Sequence, residues 1–149
     1  MTDPAIIAEL KRLADDNGGV LTASTIVVAA RDEESILHSQ FEWDDSAAAE
    51  QYRMWQARRL LNVVVEYIGP KDGQRRTRVF VSLTPDRTGK DGGYRQITAV
   101  LSDREHRQQL LDDALEEMER FQRKYEELQE LVEVISAMRK VCKARVAAD

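Results

Sequence analysis

An apolar repeat in the last third of the chain constrains its fold more than any other feature. From Leu111 to Val146, positions at alternating spacings of three and four over five heptads are apolar, except for Arg139. This spacing is typical of a helix whose apolar seam packs against another helix. Neither Gly nor Pro occurs after Gly93, so the pattern predicts one helix from Asp103 to Val146, roughly 65 Å long at ~1.5 Å per residue.

A helix of that length needs a partner, because the residues before it cannot cover its whole seam. We predict that residues 102–149 form a homo-oligomer, most simply a dimer, through a coiled-coil-type contact. Additional apolar residues widen the seam, so a bundle or a helix that folds back on itself stays open as an alternative. The predicted oligomerisation residues are Leu111, Met118, Phe121, Tyr125, Leu128, Val132 and Ile135.

Three helices are predicted before this segment. Pro4–Asp15 has Ile and Leu at helical spacing, and the segment TIVVAAR supplies the apolar face of a second helix. A third helix, rich in Ala, Gln and Arg, is expected to end at about Asn62. Residues that favour N-cap positions precede each helix: Asp3, then Thr22 or Ser24, then one of Asp44, Asp45 and Ser46.

Three β-rich segments follow the third helix. NVVVEYI, TRVFVSLT and YRQITAVL are separated by polar, Gly-rich turns, which is typical of consecutive antiparallel strands. The predicted fold class is therefore α+β. A head of helices and a three-stranded antiparallel sheet spans residues 1–101, and the long helix spans residues 102–149.

Aromatic side chains concentrate in the segment HSQFEWDDSAAAEQYRMWQARR, which contains Phe41, Trp43, Tyr52 and Trp55. Tryptophan is highly buried on average, so we predict that both tryptophans belong to the core and anchor a central helix packed on two sides. In the alternative interpretation, an exposed row of Tyr52, Trp55 and Arg59 stacks on nucleic-acid bases.

The net charge is −5, but the charges are unevenly distributed. Residues 53–95 contain ten Lys or Arg and four Asp or Glu, whereas residues 103–149 contain nine and twelve. Such asymmetry indicates a binding surface for nucleic acid, although cationic side chains also commonly cover exposed sheet edges. The candidate nucleic-acid-binding residues are Arg53, Arg58, Arg59, Lys71, Arg75, Arg76 and Arg78.

The sequence offers no pattern for catalysis, a metal or a cofactor. No apolar run approaches the ~20 residues of a membrane span, the N-terminus lacks a signal-peptide pattern, and the single Cys142 fits a reducing compartment. His38, Glu42, Asp44 and Asp45 could hold a metal, but Asp44 and Asp45 can serve as helix caps, and no second His or Cys cluster supports the site. The loop TGKDGG lacks the upstream Gly of a phosphate-binding loop. We therefore predict a cytoplasmic, non-enzymatic protein without membrane contact.

The order of the predicted elements resembles that of winged helix–turn–helix domains. IIAELKRLADDNGGVLTAST is similar to the first two helices of such domains, and the basic turn GPKDGQRRTR stands where their wing would be. The resemblance implies a DNA-binding role in which Lys71, Arg75, Arg76 and Arg78 contact phosphates. About thirteen residues separate the second and third helices, where these domains have a turn of about four.

The segments ILHSQFEWDDSAAAEQYRMWQARRLL and VFVSLTPDR are similar to small uncharacterised proteins carried by bacteriophages and prophages. This second resemblance implies a bacterial host cytoplasm and a role in phage DNA metabolism, regulation or host interaction. We predict a self-associating, phage-type nucleic-acid-binding protein. The alternative is an adaptor or inhibitor that binds a host or phage protein and no nucleic acid.

Overall fold

The computed structural model of the chain has helices in each of its two units, Met1–Arg104 and Glu105–Asp149, and short antiparallel strands in the first. It describes residues 3–43, 47–68, 75–89 and 91–146. The fold is thus a mixed α+β arrangement dominated by helices, as the sequence predicts at that level.

The first two predicted helices are confirmed. Helix α1 is Pro4–Asp16 and helix α2 is Ala23–Ala30. The Asp3 carboxylate accepts a hydrogen bond from the amide of Ala5 at 2.9 Å, and the Thr22 hydroxyl accepts one from the amide of Thr25 at 3.2 Å. These bonds satisfy amides that have no partner within the first turn of a helix.

The apolar periodicity of these helices determines which side is buried. Helix α1 buries Ile6, Ile7, Leu10 and Leu13, and α2 buries Ile26 and Val27. Two glycines with positive φ, Gly18 at 67° and Gly19 at 84°, end α1 and turn the chain toward α2.

Helix α3, Ala47–Val63, follows a short 3-10 turn at His38–Gln40. Its proposed caps Asp44, Asp45 and Ser46 lie outside the described residues. Arg53, Ala57 and Leu61, spaced by four, are buried on one side of α3. The prediction that this helix is packed on two sides is wrong, because its opposite side is exposed to solvent.

The described strands form two separate two-stranded antiparallel sheets in place of the predicted three-stranded one. Strand β1, Val65–Ile68, pairs with β2, Arg75–Arg78, and β3, Phe80–Val81, pairs with β4, Arg95–Gln96.

The change of partner occurs at Val79, which is buried. Its amide donates to the carbonyl of Val64 at 3.3 Å, and its carbonyl accepts from the amide of Ile97 at 2.8 Å. The backbone therefore forms hydrogen bonds with β1 before Val79, as β2, and with β4 after Val79, as β3.

The third predicted strand is much shorter than expected. Only Arg95 and Gln96 are extended, and Ile97–Ser102 forms a short helix, α4, that buries Val100. A two-residue period would have buried every second residue of this segment, whereas the structure buries one. Tyr94, just before β4, instead exchanges two backbone hydrogen bonds with Leu21, at 2.7 and 2.8 Å.

The core of the first unit lies between α1, α2, α3 and the residues around β3. Phe80, Leu10, Leu21, Ile26, Leu37 and Leu61 are its largest fully buried side chains. Trp43, Met54 and Tyr94 pack against its margin. This core packs against one side of α3 only. The other side of the helix is exposed and is available to contact solvent or a ligand.

The second unit is a helical hairpin. Helix α5, Arg104–Tyr125, confirms a long C-terminal helix, but the prediction that it continues to Val146 is wrong. A 3-10 turn at Gln129–Leu131 intervenes, and helix α6 is Val132–Val146.

Three contacts show that α6 runs back along α5. Arg145 donates to Asp112 at 3.4 Å, Gln122 donates to the Cys142 sulfur at 3.8 Å, and Arg139 lies 3.8 Å from Glu126. The reversal lets the chain bury Ile135 against itself, which a single straight helix cannot do. Within the described ranges, every helix falls short of the length and hydrophobicity that a bilayer span requires.

Candidate nucleic-acid interface

The outward side of α3 carries a row of aromatic and cationic side chains. Tyr52, Trp55 and Arg59 lie at i, i+3 and i+7, a spacing that places them on one face of a helix. Tyr52 and Trp55 are each 49% exposed, which is unusual for rings of this size. We name these three residues the α3 platform.

The three side chains of the α3 platform contact one another. The ring centroids of Tyr52 and Trp55 are 5.6 Å apart and the planes differ by 17°. The Arg59 guanidinium carbon lies 5.5 Å from the Trp55 ring centroid, within cation–π range. These contacts restrict the rotamers of all three, so a ligand would meet an ordered surface rather than three independent side chains.

A shallow groove of about 250 Å³ runs beside the α3 platform. It is lined by Gln40, Tyr52, Trp55, Gln56, Arg59, Leu60 and Val63. Val63, at the end of α3, is 52% exposed and extends the apolar part of this surface. Gln56 and Val63 are not among the site residues predicted from the sequence. Both residues follow Tyr52 on its side of α3, at i+4 and i+11, and that spacing could have identified them from the sequence.

The prediction that Trp55 belongs to the core is therefore wrong, and its alternative, an exposed row, describes the structure. Trp43 behaves as predicted for a structural residue. Its indole N–H donates to the carbonyl of His38 at 2.9 Å, and its ring stacks on His38 at 4.9 Å and lies 5.8 Å from Phe41. Trp43 therefore lies at the margin of the core, and Trp55 lies on the surface.

Arg53 is buried, so it is withdrawn from the candidate phosphate contacts. It is 4% exposed, donates to Glu50 at 2.9 Å and to the carbonyl of Glu42 at 3.1 Å, and lies 5.2 Å from the Trp43 ring centroid. A buried guanidinium needs such partners. The hydrogen bond from Arg53, aided by the charge of Arg31, lowers the pKa of the Glu50 carboxyl.

The arginines of β2 are exposed. Arg76 and Arg78 occupy alternate positions and share one face of the strand, while Arg75 lies on the other face with Thr77. Arg78 pairs with Val65, the first residue of β1, and is therefore close in the chain's path to the end of α3. Lys71 lies outside the described residues. Arg58, on α3, is half-buried.

The predicted oligomerisation residues do not share one surface. Ile135 is 4% exposed and faces the inside of the hairpin, so its assignment to an intermolecular contact is wrong. Leu111, Leu128 and Val132 are exposed. Met118, Phe121 and Tyr125 are half-buried, and the Phe121 and Tyr125 rings are 4.8 Å apart.

In the part of the chain that the structure describes, no three His, Cys, Asp or Glu side chains are placed to hold a metal ion. His38 has another role there, since its Nδ1 lies 2.8 Å from the carbonyl of Ala30. Comparison of the chain with protein-family models, with curated proteins and with solved structures gives no match. The function of the α3 platform is therefore inferred from the chemistry and geometry of its side chains.

Proposed function

We propose that the protein is a non-enzymatic nucleic-acid-binding protein that stacks unpaired bases on the α3 platform and contacts phosphates through the arginines of β2. The observation that carries this proposal is the half-exposed stack of Tyr52 and Trp55 with Arg59 against the indole. These rings are ordered but still exposed to water, so a ligand that covers them would gain the free energy of burying their apolar surface.

Bases suit this surface because each has a flat π-face of similar size to an indole. Stacking of one base on an aromatic side chain is worth about 1–3 kcal/mol and tolerates any base. In a duplex the base faces are covered by their neighbours, so the α3 platform favours single strands, loops or ends. Its rings also differ from the Arg, Asn and Gln side chains that read base edges in a duplex groove.

Phosphates would be neutralised by Arg76 and Arg78, which share one face of β2. Arg78, the last residue of that strand, pairs with Val65, two residues after the end of α3. The axial distance from Trp55 to Val63 is about 12 Å at ~1.5 Å per residue, so a single strand stacked on the rings could continue toward β2. The order α1, α2, α3 and then the β1–β2 hairpin resembles that of winged helix–turn–helix domains, which supports the proposal that β2 belongs to a wing. The resemblance to small phage proteins fits a role on phage or host DNA in the bacterial cytoplasm.

A protein partner is the second candidate, and the same observation favours it. Tyr, Trp and Arg are the residues most enriched at the energetic centres of protein interfaces. An adaptor or inhibitor would use the α3 platform as such a centre and would have no need of the β2 arginines. The two candidates therefore differ in how binding responds to salt and to those arginines.

Fluorescence titration tests the proposal. In a Trp43→Phe variant, all indole emission comes from Trp55, and a stacked base is expected to quench it. We expect a single-stranded oligothymidine to quench the emission and the matching duplex to do so much less, with log affinity falling linearly with log salt. Absence of quenching and binding with either oligonucleotide would leave the adaptor function as the better account.

The matched control is Trp55→Ala in the chain that retains Trp43. Removal of one stacking ring should weaken single-strand binding by about 5- to 150-fold, the equivalent of ~1–3 kcal/mol. Trp55→Phe should retain part of the affinity, because it keeps an aromatic face. Equal affinities for all three proteins would exclude stacking at this position.

A further inference from the structure

Helix α6 has an exposed apolar seam on a different side from the residues that contact α5. Val134, Ala137, Val141 and Ala144 follow one another at spacings of three, four and three, and all four are exposed, with Val134 at 48% and Val141 at 52%. Ile135 and Cys142, which face α5, lie on a different side of α6. This outward seam has the spacing of a helix that packs against another helix.

The charges beside the seam change sign along α6. Glu130 lies in the turn just before α6 and Glu133 in its first turn, whereas Lys140 and Lys143 lie toward its end; all four are exposed. Glu133 and Lys140 are seven residues apart, or about 10 Å along the axis, which is too far for an ion pair within one helix. Between them lies an open groove of about 420 Å³ lined by Val132, Glu133, Ser136, Ala137 and Lys140.

We propose that this seam binds the α6 helix of a second copy in the antiparallel direction, about a two-fold axis near Ala137. In that arrangement Val134 packs against the partner's Val141, and Glu133 meets the partner's Lys140, each contact occurring twice. A parallel pair would instead bring Glu133 against its own equivalent. The surface is thus complementary to itself in one direction only, as a two-fold interface requires.

The small side chain of Ala137 at the axis allows the helices to approach closely, toward the ~8 Å end of usual helix–helix distances. One pair of 15-residue helices buries less than the ~1,200 Å² of a standard stable interface. The expected product is therefore a monomer–dimer equilibrium that shifts with protein concentration. This inference is independent of nucleic-acid binding, since it uses none of the residues of α3 or β2.

Sedimentation velocity of the full chain over a range of concentrations tests the inference. The unmodified protein should form dimers as concentration rises. Glu133→Lys and Lys140→Glu should each weaken dimerisation by about tenfold or more, because like charges then face each other twice. The double variant Glu133→Lys/Lys140→Glu should restore it, since the exchanged charges again pair across the axis.

Glu117→Lys, a charge reversal at an exposed position of α5, is the matched control and should leave dimerisation unchanged. Far-UV circular dichroism checks that every variant keeps its helical content. A protein that stays monomeric at all concentrations overturns the inference. A dimer indifferent to both single variants, or one not restored by the double variant, overturns the antiparallel α6 contact.

Discussion

At the scale of single residues, the environments of Trp43 and Trp55 differ because of the polar groups around them. Trp43 has a hydrogen-bond acceptor for its indole N–H and rings on its flank. Trp55 contacts Tyr52 and Arg59 but leaves half its surface in water. The first arrangement stabilises the fold, and the second leaves apolar area whose burial can stabilise a complex.

Alanine substitutions should separate these roles. Trp43→Ala should lower the free energy of unfolding by about 3 kcal/mol, as for a large ring removed from a core. Trp55→Ala should lower it by less than Trp43→Ala does, because about half of the Trp55 surface is already exposed in the folded chain and its ring pair with Tyr52 is worth only about 0.5–1.5 kcal/mol. Thermal melts of both variants at the same pH provide the measurement. A larger decrease for Trp55→Ala than for Trp43→Ala would contradict the assignment of Trp55 to the surface.

The ion pair of Glu50 with Arg53 predicts a pH dependence. Because Arg53 lowers the pKa of Glu50 in the folded chain, this carboxylate stabilises the fold fully above its unfolded pKa of ~4.3. The contribution is lost as the pH falls through the lower folded value. Glu50→Gln should therefore melt below the parent at neutral pH, and the difference should shrink below about pH 4.3. A difference that stays constant down to pH 3 would show that Glu50 is not coupled to Arg53.

The sequence could not reveal which side of α3 is buried. Both sides carry apolar residues, and large rings are the usual choice for the interior. The structure instead buries Arg53 with Ala57 and Leu61. Burial of the Arg53 guanidinium is tolerated because it donates hydrogen bonds to Glu50 and to the carbonyl of Glu42. These partners come together in the folded chain, so periodicity alone does not predict them.

At the scale of helices and strands, the sequence predicts correctly those helix ends that depend on residues close by in the chain. The ends of α1 and α2 follow from Asp3, Thr22 and the glycines after α1. The heptad pattern, in contrast, continues through Leu128 and Val132 although the helix stops at Tyr125. The spacing of apolar residues is the same whether the helix packs against a second chain or against a later helix of the same chain. The spacing alone therefore does not predict that the chain turns back between α5 and α6.

The β2 strand supplies a prediction about phosphate binding. If Arg76 and Arg78 neutralise phosphates, Arg76→Ala with Arg78→Ala should reduce the slope of log affinity against log salt by about 0.7–0.9 for each phosphate that is no longer neutralised. The decrease in affinity should be similar for all oligonucleotide sequences. Arg120→Ala with Arg123→Ala, which removes the same charge from exposed positions of the second unit, is the control. Equal slopes for the parent and the β2 variant would make this strand ordinary surface.

The loop between β3 and β4 packs closely on the turn that joins α1 and α2. A Cβ at Gly93 would lie 2.7 Å from Cγ1 of Val20 and 3.2 Å from Cβ of Asp86. Gly93→Ala should therefore lower the free energy of unfolding by about 1–3 kcal/mol, as overpacking does. Gly89→Ala in the same loop meets open space at an ordinary φ of −80° and should melt like the parent. Equal melting of the two variants would mean that the loop moves away at little cost.

At the scale of the whole chain, stability and recognition are unevenly shared between the two units. Among the described residues, Ile135 is the one buried apolar side chain beyond Arg104. Leu111, Leu128, Val132, Val134 and Val141 are exposed in the same segment. A hairpin of this kind gains little stability from its own interior, and an isolated helix as short as α6, with 15 residues, is marginal in water. Partner contacts are therefore expected to contribute more to the second unit than to the first.

A chain that ends at Arg104 should consequently keep its fold. The apolar cluster from Ile6 to Phe80 lies entirely within it, including Leu10, Leu21 and Leu37. We expect a cooperative thermal transition within a few degrees of that of the full chain, followed by near-UV circular dichroism, and a monomer by sedimentation at every concentration. The fragment 105–149 alone should show a broad, non-cooperative loss of helix on heating. If the shortened chain instead melts without a transition, the first unit depends on the hairpin for its stability, and the buried cluster is insufficient to hold α1, α2 and α3 together.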